Sequence, residues 1–522
     1  MSETKEFGDF QTPLSLAAKV VELLDSLYPN PQLVIEPTAG LGTFLKSAYE
    51  KWGGECRYEG YEINAAYVTQ AMAALGETGI RILQRDFFTE DWRNLLDRPE
   101  SNRTLLLGNP PWVTNSTLGA LGSDNLPGKT NFQNLRGVDA MTGKANFDIS
   151  EWMLIKLLES MPESGAMAML CKTATARKVL RHFWKARCGW KETHLFRIDA
   201  KAAFNVSVDA CLFFVGGGPD SLQLASVHKG LVLEGDSPKF GYVDGELVSD
   251  VATYRELRHL DGGSPYLWRS GLKHDLSQIM DLTPHGSVFR NGYGEEVMLE
   301  DDFVFPLLKS SDLANGNVVP RRAVIVTQRN SGDPTETIST LAPLTWKYLS
   351  RHGESLDARR SSIYRNRPRF SMFGIGPYSF APWKIAVSGL YKSFVFTLVP
   401  PVGGKPVMVD DTCYSIPCSS ENEARLLLSL YSSEVALRFM KSLVFLDSKR
   451  PITADVLRRL SLVAVANLLG KSKELAEFIN GSSIESPKED LQMSLLMEPE
   501  KAYRVAAPAK KSGKIERRTK SG

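Results

Sequence analysis

A chain of 522 residues with 43% hydrophobic and 23% charged residues exceeds what one hydrophobic core organises, and it predicts two or three globular domains. Its 62 Lys and Arg against 60 Asp and Glu leave a net charge of +2. That balance excludes a uniformly basic nucleic-acid binder and leaves any such surface to local clusters. The start of the chain is polar, and no apolar run approaches the roughly 18–20 residues that span a bilayer. A cytoplasmic protein without a membrane segment is therefore expected. Cys56, Cys171, Cys188, Cys211, Cys413 and Cys418 form no C-x-x-C pair, and the 7 histidines are dispersed, so neither a disulfide framework nor a metal site is expected.

In chain order, Leu14 to Leu27 carries apolar residues at helical spacing. Leu33 to Ile35 reads as a buried strand, followed by a Gly turn and a helix over 41–50. Arg57 to Glu62 reads as strand, Ala65 to Leu75 as helix, and Arg81 to Leu83 and Thr104 to Leu107 as strands. Beyond a long polar stretch, a helix over 149–161, a strand over 165–170, a helix over 174–186 and a last strand over 210–215 follow. This alternation predicts an α/β domain, a Rossmann-like doubly wound and mostly parallel sheet, over residues 1–220. The glycines at 216–218 and Pro219 read as its end. Over 221–475 the alternation is lost, and strands at 323–327 and 394–399 with helices at 421–443 and 454–469 predict a second, α+β domain. Residues 476–522 read as a flexible tail with a basic end, Lys510 to Lys520.

The chemistry-bearing signal is Asn109-Pro110-Pro111-Trp112 at the end of an apolar strand, where ligands bind in doubly wound sheets. Successive prolines fix φ and remove donors. The Asn109 side-chain oxygen and the Pro110 carbonyl can thus accept both hydrogens of an exocyclic amine, while Trp112 offers a face to a flipped base. A Pro-Pro turn with a packed aromatic is the alternative reading of the tetrapeptide alone. Upstream, Glu36-Pro37-Thr38-Ala39-Gly40-Leu41-Gly42 forms a strand-turn-helix in which glycines permit close backbone approach to a ligand. It lacks the G-x-G-x-x-G spacing of a dinucleotide site. Glu62-Ile63 follows at the next strand end, placed for a carboxylate to accept ribose hydroxyls. Asp86-Phe87 follows the third strand, placed for an adenine amine and ring.

This ordered series resembles the DNA amino-methyltransferases in their γ arrangement, the N6-adenine class of restriction-modification systems. The resemblance covers about residues 7–215. It implies S-adenosylmethionine as cofactor, with Thr12 of Phe10-Gln11-Thr12-Pro13 lying over it. Glu36, Thr38, Ala39, Gly40, Glu62, Ile63, Asp86, Phe87 and Asn109 are implied as cofactor-binding residues. Asn109, Pro110, Pro111 and Trp112 match the catalytic motif, and Phe204 matches an aromatic that contacts the flipped base edge-on. Trp112 departs from the usual Tyr. Target recognition is implied C-terminal to these motifs.

The segment from Arg359 to Lys392 fits that role. Arg359, Arg360, Arg365, Arg367, Arg369 and Lys384 are interleaved with Tyr364, Phe370, Tyr378, Phe380 and Trp383, as phosphate contact and base stacking require. A solvated basic face beside a core is its bland alternative. The stretch 113–147, with Lys129, Arg136 and Lys144, is long for a connection and is a candidate for closing over DNA. Double-stranded DNA is the expected partner, with a separate cognate endonuclease. Asp447-Ser448-Lys449 reads as a loop rather than as a nuclease centre. N4 of cytosine, an RNA base, a protein glutamine amide, and an inactive DNA-binding relative are the competing readings.

Overall fold

The computed structural model describes residues 10–98, 103–113 and 148–481. The expected loop beyond Val113 and the expected tail beyond residue 481 lie outside these residues, whereas the first residues assigned to that tail, 476–481, belong to the helix Ser472–Gly481. The chain divides into two compact units, one running to Ser237 and the next beginning at Pro238.

Among the described residues the first unit is built around eight strands: β1 (Leu33–Glu36), β2 (Arg57–Glu62), β3 (Arg81–Gln84), β4 (Thr104–Gly108), β5 (Ala166–Lys172), β6 (Gly189–Ile198), β7 (Ala210–Asp220) and β8 (Leu224–His228). Within it they lie in the order β8-β6-β7-β5-β4-β1-β2-β3. β1 is flanked by β2 and β4, both parallel to it, and β3 and β5 extend the parallel array. β7 runs antiparallel between β5 and β6. The connecting helices are α1 (Leu14–Leu27), α2 (Thr43–Trp52), α3 (Ala65–Leu75), α4 (Trp92–Leu96), α5 (Ile149–Ser160), α6 (Thr173–Lys185) and α7 (Ala200–Phe204).

Local chemistry explains these bounds. Every residue of β1 and β4 is buried, as befits central parallel strands covered on both faces. α3 starts where the Asn64 side chain accepts from the amides of Ala66 and Tyr67, an N-cap that satisfies otherwise orphaned donors. α2 begins at Thr43, later than expected, because Gly40 and Gly42 hold φ of +51° and +73° and keep the turn open until then. β6 was not legible in the sequence. Its polar Lys191, Glu192 and Arg197 face outward between buried residues, so no continuous apolar run marks it.

The glycines at 216–218 lie inside β7 rather than at a domain end. Gly217 and Gly218 take positive φ opposite a register shift between Trp190 and Glu192, which is bulge geometry. Two further consequences follow. The strand over 210–215 runs on to Asp220, and β8 lies beyond the expected boundary at 220.

The second unit opens with the hairpin β9 (Lys239–Val243) and β10 (Glu246–Val248). It holds two further sheets, formed by β11 (Arg269–Ser270), β12 (Asp281–His285), β13 (Val288–Asn291), β14 (Glu296–Val297), β15 (Val304–Leu308), β16 (Arg322–Ile325), β17 (Trp383–Ser388), β18 (Thr397–Val399), β19 (Met408–Val409) and β20 (Cys413–Cys418). One sheet has the order β14-β13-β12-β16-β15-β19 and the other β11-β20-β17-β18. Met280, Leu282, Val324, Leu349, Phe370 and Met372 share one core cluster beside the larger sheet. The expected helix over 421–443 is broken into Glu421–Tyr431 and Glu434–Leu443 because Ser433 caps the second piece. Ser461 likewise starts Leu462–Leu468 after Ala454–Arg458. Both serines accept from an amide three residues on.

Candidate functional site

The carboxyl ends of β4, β1, β2 and β3 lie side by side, and the order in which successive strands are added switches sides between β1 and β4. That is the crevice where ligands of doubly wound sheets bind. Glu36 ends β1, Glu62 ends β2, Asp86 follows β3 and Asn109 follows β4. The fold thus gathers residues that are up to 73 positions apart in the sequence (Glu36 to Asn109).

Asn109 is oriented by what its amide nitrogen touches. Nδ2 donates to the Phe10 carbonyl at 2.9 Å and to Thr12 Oγ1 at 3.3 Å. A carbonyl can only accept, so the nitrogen end faces Phe10 and the oxygen end faces away. Oδ1 is buried and has no hydrogen-bond partner among the described residues. An unpaired buried acceptor costs roughly 1–3 kcal/mol, which is tolerated where a ligand donor completes it. Thr38 Oγ1 lies 3.5 Å from the Asn109 carbonyl, joining the β1 turn to the motif.

Around Asn109 stand three rings. Trp112 and Phe204 meet edge to face at 5.2 Å between centroids, and Phe10 lies 5.8 Å from Trp112 and 5.9 Å from Phe204. Trp112 is 6% exposed, and its Nε1 donates to the Leu170 carbonyl at 3.3 Å. Its ring is therefore fixed from β5 and covered by neighbours rather than offered to solvent.

The Gly turn is built against Glu62. Its Oε2 accepts from the Gly40 amide and its Oε1 from the Asn64 amide, both at 2.8 Å. Gln11 Oε1 accepts from the Leu41 amide at 3.2 Å, so the segment bearing Thr12 lies on the turn. A Cβ on Gly40 would stand 2.7 Å from that Gln11 oxygen. Ala39 is held by its amide donating to the Tyr61 carbonyl. Glu36 is buried with Oε2 unpartnered among the described residues. Burial, with Glu62 nearby adding repulsion, pushes its carboxyl well above the usual range. Asp86 Oδ1 accepts from the Phe88 amide at 2.9 Å, and Ile63 is 44% exposed at the rim. Phe87 departs from expectation. Its ring packs on Trp92 at 4.7 Å and near Trp152, so it belongs to the core and not to an open ligand face.

The arginine segment of the second unit is less uniform than its sequence. Lys384 is buried on β17, where its Nζ donates to the Ala381 carbonyl at 2.7 Å. Burial lowers its pKa to about 8, and it cannot contact DNA from there. Arg359 is also an internal strut. It donates to the carbonyls of Leu356, His274, Ser371 and Arg369 and lies 3.7 Å over the Tyr364 ring. Arg369 is exposed but clasps Asp357 through Nε and Nη2. Only Arg360, Arg365 and Arg367 of the expected set are exposed without an ion pair to another described residue.

No family profile matches the chain. It is 41% identical over 470 residues to the type II methyltransferase M.NspV of Nostoc sp. (strain ATCC 29411 / PCC 7524), covering 89% of this chain and 98% of that protein. The chain belongs to the type II methyltransferases. The fold is also that of MmeI, a type IIL restriction-modification enzyme solved in complex with DNA. That likeness has a TM-score of 0.55 at 14% identity and covers 88% of this chain and 69% of that one.

Membership of the type II methyltransferases implies S-adenosylmethionine as methyl donor. The residues fit such a group: Glu36 holds a buried oxygen without a partner among the described residues, at the strand end that leads into the Gly turn before α2. Among the described residues this methyltransferase has no cluster of potential metal ligands and no helix long and apolar enough to cross a membrane. Asp447 and Lys449 lie in a turn after helix Glu434–Leu443. Two residues at the site escaped the sequence reading. Lys172 and Asp148 join at 2.6 Å beside the Trp112 carbonyl. Neither sits in a recognisable motif, and their only signal is position, a strand end and a helix N-cap.

Proposed function

We propose that this methyltransferase modifies an exocyclic base amine in double-stranded DNA, N6 of adenine, as the modification partner of a separate endonuclease. The observation that carries this is the buried, unpartnered Oδ1 of Asn109, aimed by the bonds of its own Nδ2. In this reading the base is flipped out, and Asn109 Oδ1 and the Pro110 carbonyl accept its two amine hydrogens. Those bonds hold the nitrogen lone pair in line for attack and stabilise the positive charge that develops on it. Phe204 and Trp112 form the apolar wall beside the base, with Phe10 yielding the space it fills.

S-adenosylmethionine supplies a methyl on a sulfonium, so no covalent enzyme intermediate is needed. Glu36 would hold its ammonium, Glu62 its ribose hydroxyls, and Asp86 with Ile63 its adenine. Thr12, Thr38, Ala39 and Gly40 would line the turn. Arg360, Arg365 and Arg367 are the cations assigned to DNA phosphates.

Modification sequencing of DNA from a methylation-free bacterial host expressing the chain tests this, with Asn109→Ala as control. Methylated adenine within one short sequence, absent in the variant, is expected. Methylated cytosine overturns the base, and unmodified DNA from a soluble, cofactor-binding protein overturns the substrate.

A further inference from the structure

Trp112 is held twice from β5. Its indole donates to the Leu170 carbonyl at 3.3 Å, and its own carbonyl accepts from Lys172 Nζ at 2.9 Å. The same ammonium reaches Asp148 Oδ2 at 2.6 Å. Asp148 is the N-cap of α5, accepting from the Ser150 amide at 3.2 Å with its other oxygen. The Ile149 amide then donates to the Val113 carbonyl at 3.0 Å. Lys172 therefore ties together the residue that ends the Asn-Pro-Pro-Trp motif, the N-cap of α5, and the end of the neighbouring strand.

We propose that Lys172 is a positioning residue for methyl transfer. By holding the Trp112 carbonyl it fixes the peptide that leaves the motif, and with it the direction of the Pro110 carbonyl and of Asn109. Two prolines lock φ at 110 and 111, so the least constrained torsions of the motif lie at Trp112, where Lys172 acts. A lysine suits the place because its three donors can serve a carbonyl and a carboxylate at once. The side chain of Asp148 is 9% exposed, and its charge at that depth requires the partner. The inference rests on the proposed function for its rate measurement only.

The test compares wild type with Lys172→Met, Lys172→Arg and the double variant Asp148→Asn/Lys172→Met. The rate is single-turnover transfer to a duplex carrying the sequence that the wild type marks. Lys172→Met is expected to slow transfer about 10- to 100-fold, the usual cost of ångström-scale misplacement, with S-adenosylmethionine affinity and the KM for DNA unchanged. Lys172→Arg, which keeps the donors, recovers part of the rate. Removing both charges restores the melting temperature that Lys172→Met loses, because no unpaired carboxylate is left, but not the rate. A double variant that regains the rate as well overturns the proposal, since the pair would then be structural alone. The strap is also read without DNA, as faster hydrogen exchange at the Ile149 amide in Lys172→Met. If wild type marks no DNA the substrate reading fails, and this exchange still decides the role of Lys172, with unchanged protection counting against it.

Discussion

Asn109 and Glu36 in the first unit each bury an oxygen that nothing among the described residues satisfies. Arg359 and Lys384 in the second unit have their donors committed to carbonyls, and Arg369 to a carboxylate. The first pattern costs stability, and it points to a ligand here through its place at adjoining strand ends, since buried atoms elsewhere, Thr335 Oγ1 and Ser371 Oγ among them, also lack a partner among the described residues. The second is the ordinary way a fold accommodates long cationic side chains. An ordered set of strand-end motifs thus converges on one crevice of the first unit, whereas a dense run of basic residues falls mostly on a scaffold.

The contrast is broken most directly at Asn109. Asn109→Ala is expected to lower methyl transfer by about 10³-fold or more, the scale of losing a charge-stabilising group, while S-adenosylmethionine still binds by calorimetry. Equal rates in variant and wild type would remove the distinction between the two regions.

A second test takes the opposite case. Lys384 is buried with its pKa lowered to about 8 from 10.5, so between those values the unfolded chain binds more protons and stability rises with pH. Keeping the ammonium charged near pH 7 costs roughly 3 kcal/mol. Lys384→Met should therefore raise the melting temperature at pH 7, with a gain that fades toward pH 10. DNA affinity should not change, and a loss of affinity would return Lys384 to the binding surface.

Arg360, Arg365 and Arg367 sharpen the comparison within one segment. Replacing each by Ala should weaken DNA binding evenly across sequences and reduce the salt slope by about 1 per arginine that contacts a phosphate. An unchanged slope would make the whole segment scaffold. The smallest effect concerns Glu36, whose carboxyl lies well above its ordinary range. In the free protein the folded state holds that proton longer than the unfolded chain, so this group lowers stability as pH rises. Cofactor affinity should move the other way, strengthening as Glu36 ionises, and Glu36→Gln should flatten that pH dependence in calorimetric titrations.

Much of the first unit was legible because its elements carry local signatures. Leu14–Leu27, Arg57–Glu62 and Ala65–Leu75 stand with the bounds that apolar spacing gave them. β6 was not, since a strand with one face outward mixes polar residues into its pattern. The glycines in β7 read as a domain end because a bulge and a boundary turn favour the same residue for the same conformational freedom. In the second unit, the serines at 433 and 461 break helices that apolar periodicity alone joins, since capping is decided by one side-chain oxygen.

By itself the sequence determined the kind of fold, the strand-end order of Glu36, Glu62, Asp86 and Asn109, and the chemistry those residues can support. These follow from periodicity and from side-chain type, which are properties of the chain. Tertiary structure alone decided that Asn109 presents its oxygen rather than its nitrogen, that Phe87, Lys384 and Arg359 turn inward, and that Lys172 reaches Trp112 from 60 residues away. Each depends on which partner lies opposite once the strands are paired, and no local pattern carries that information.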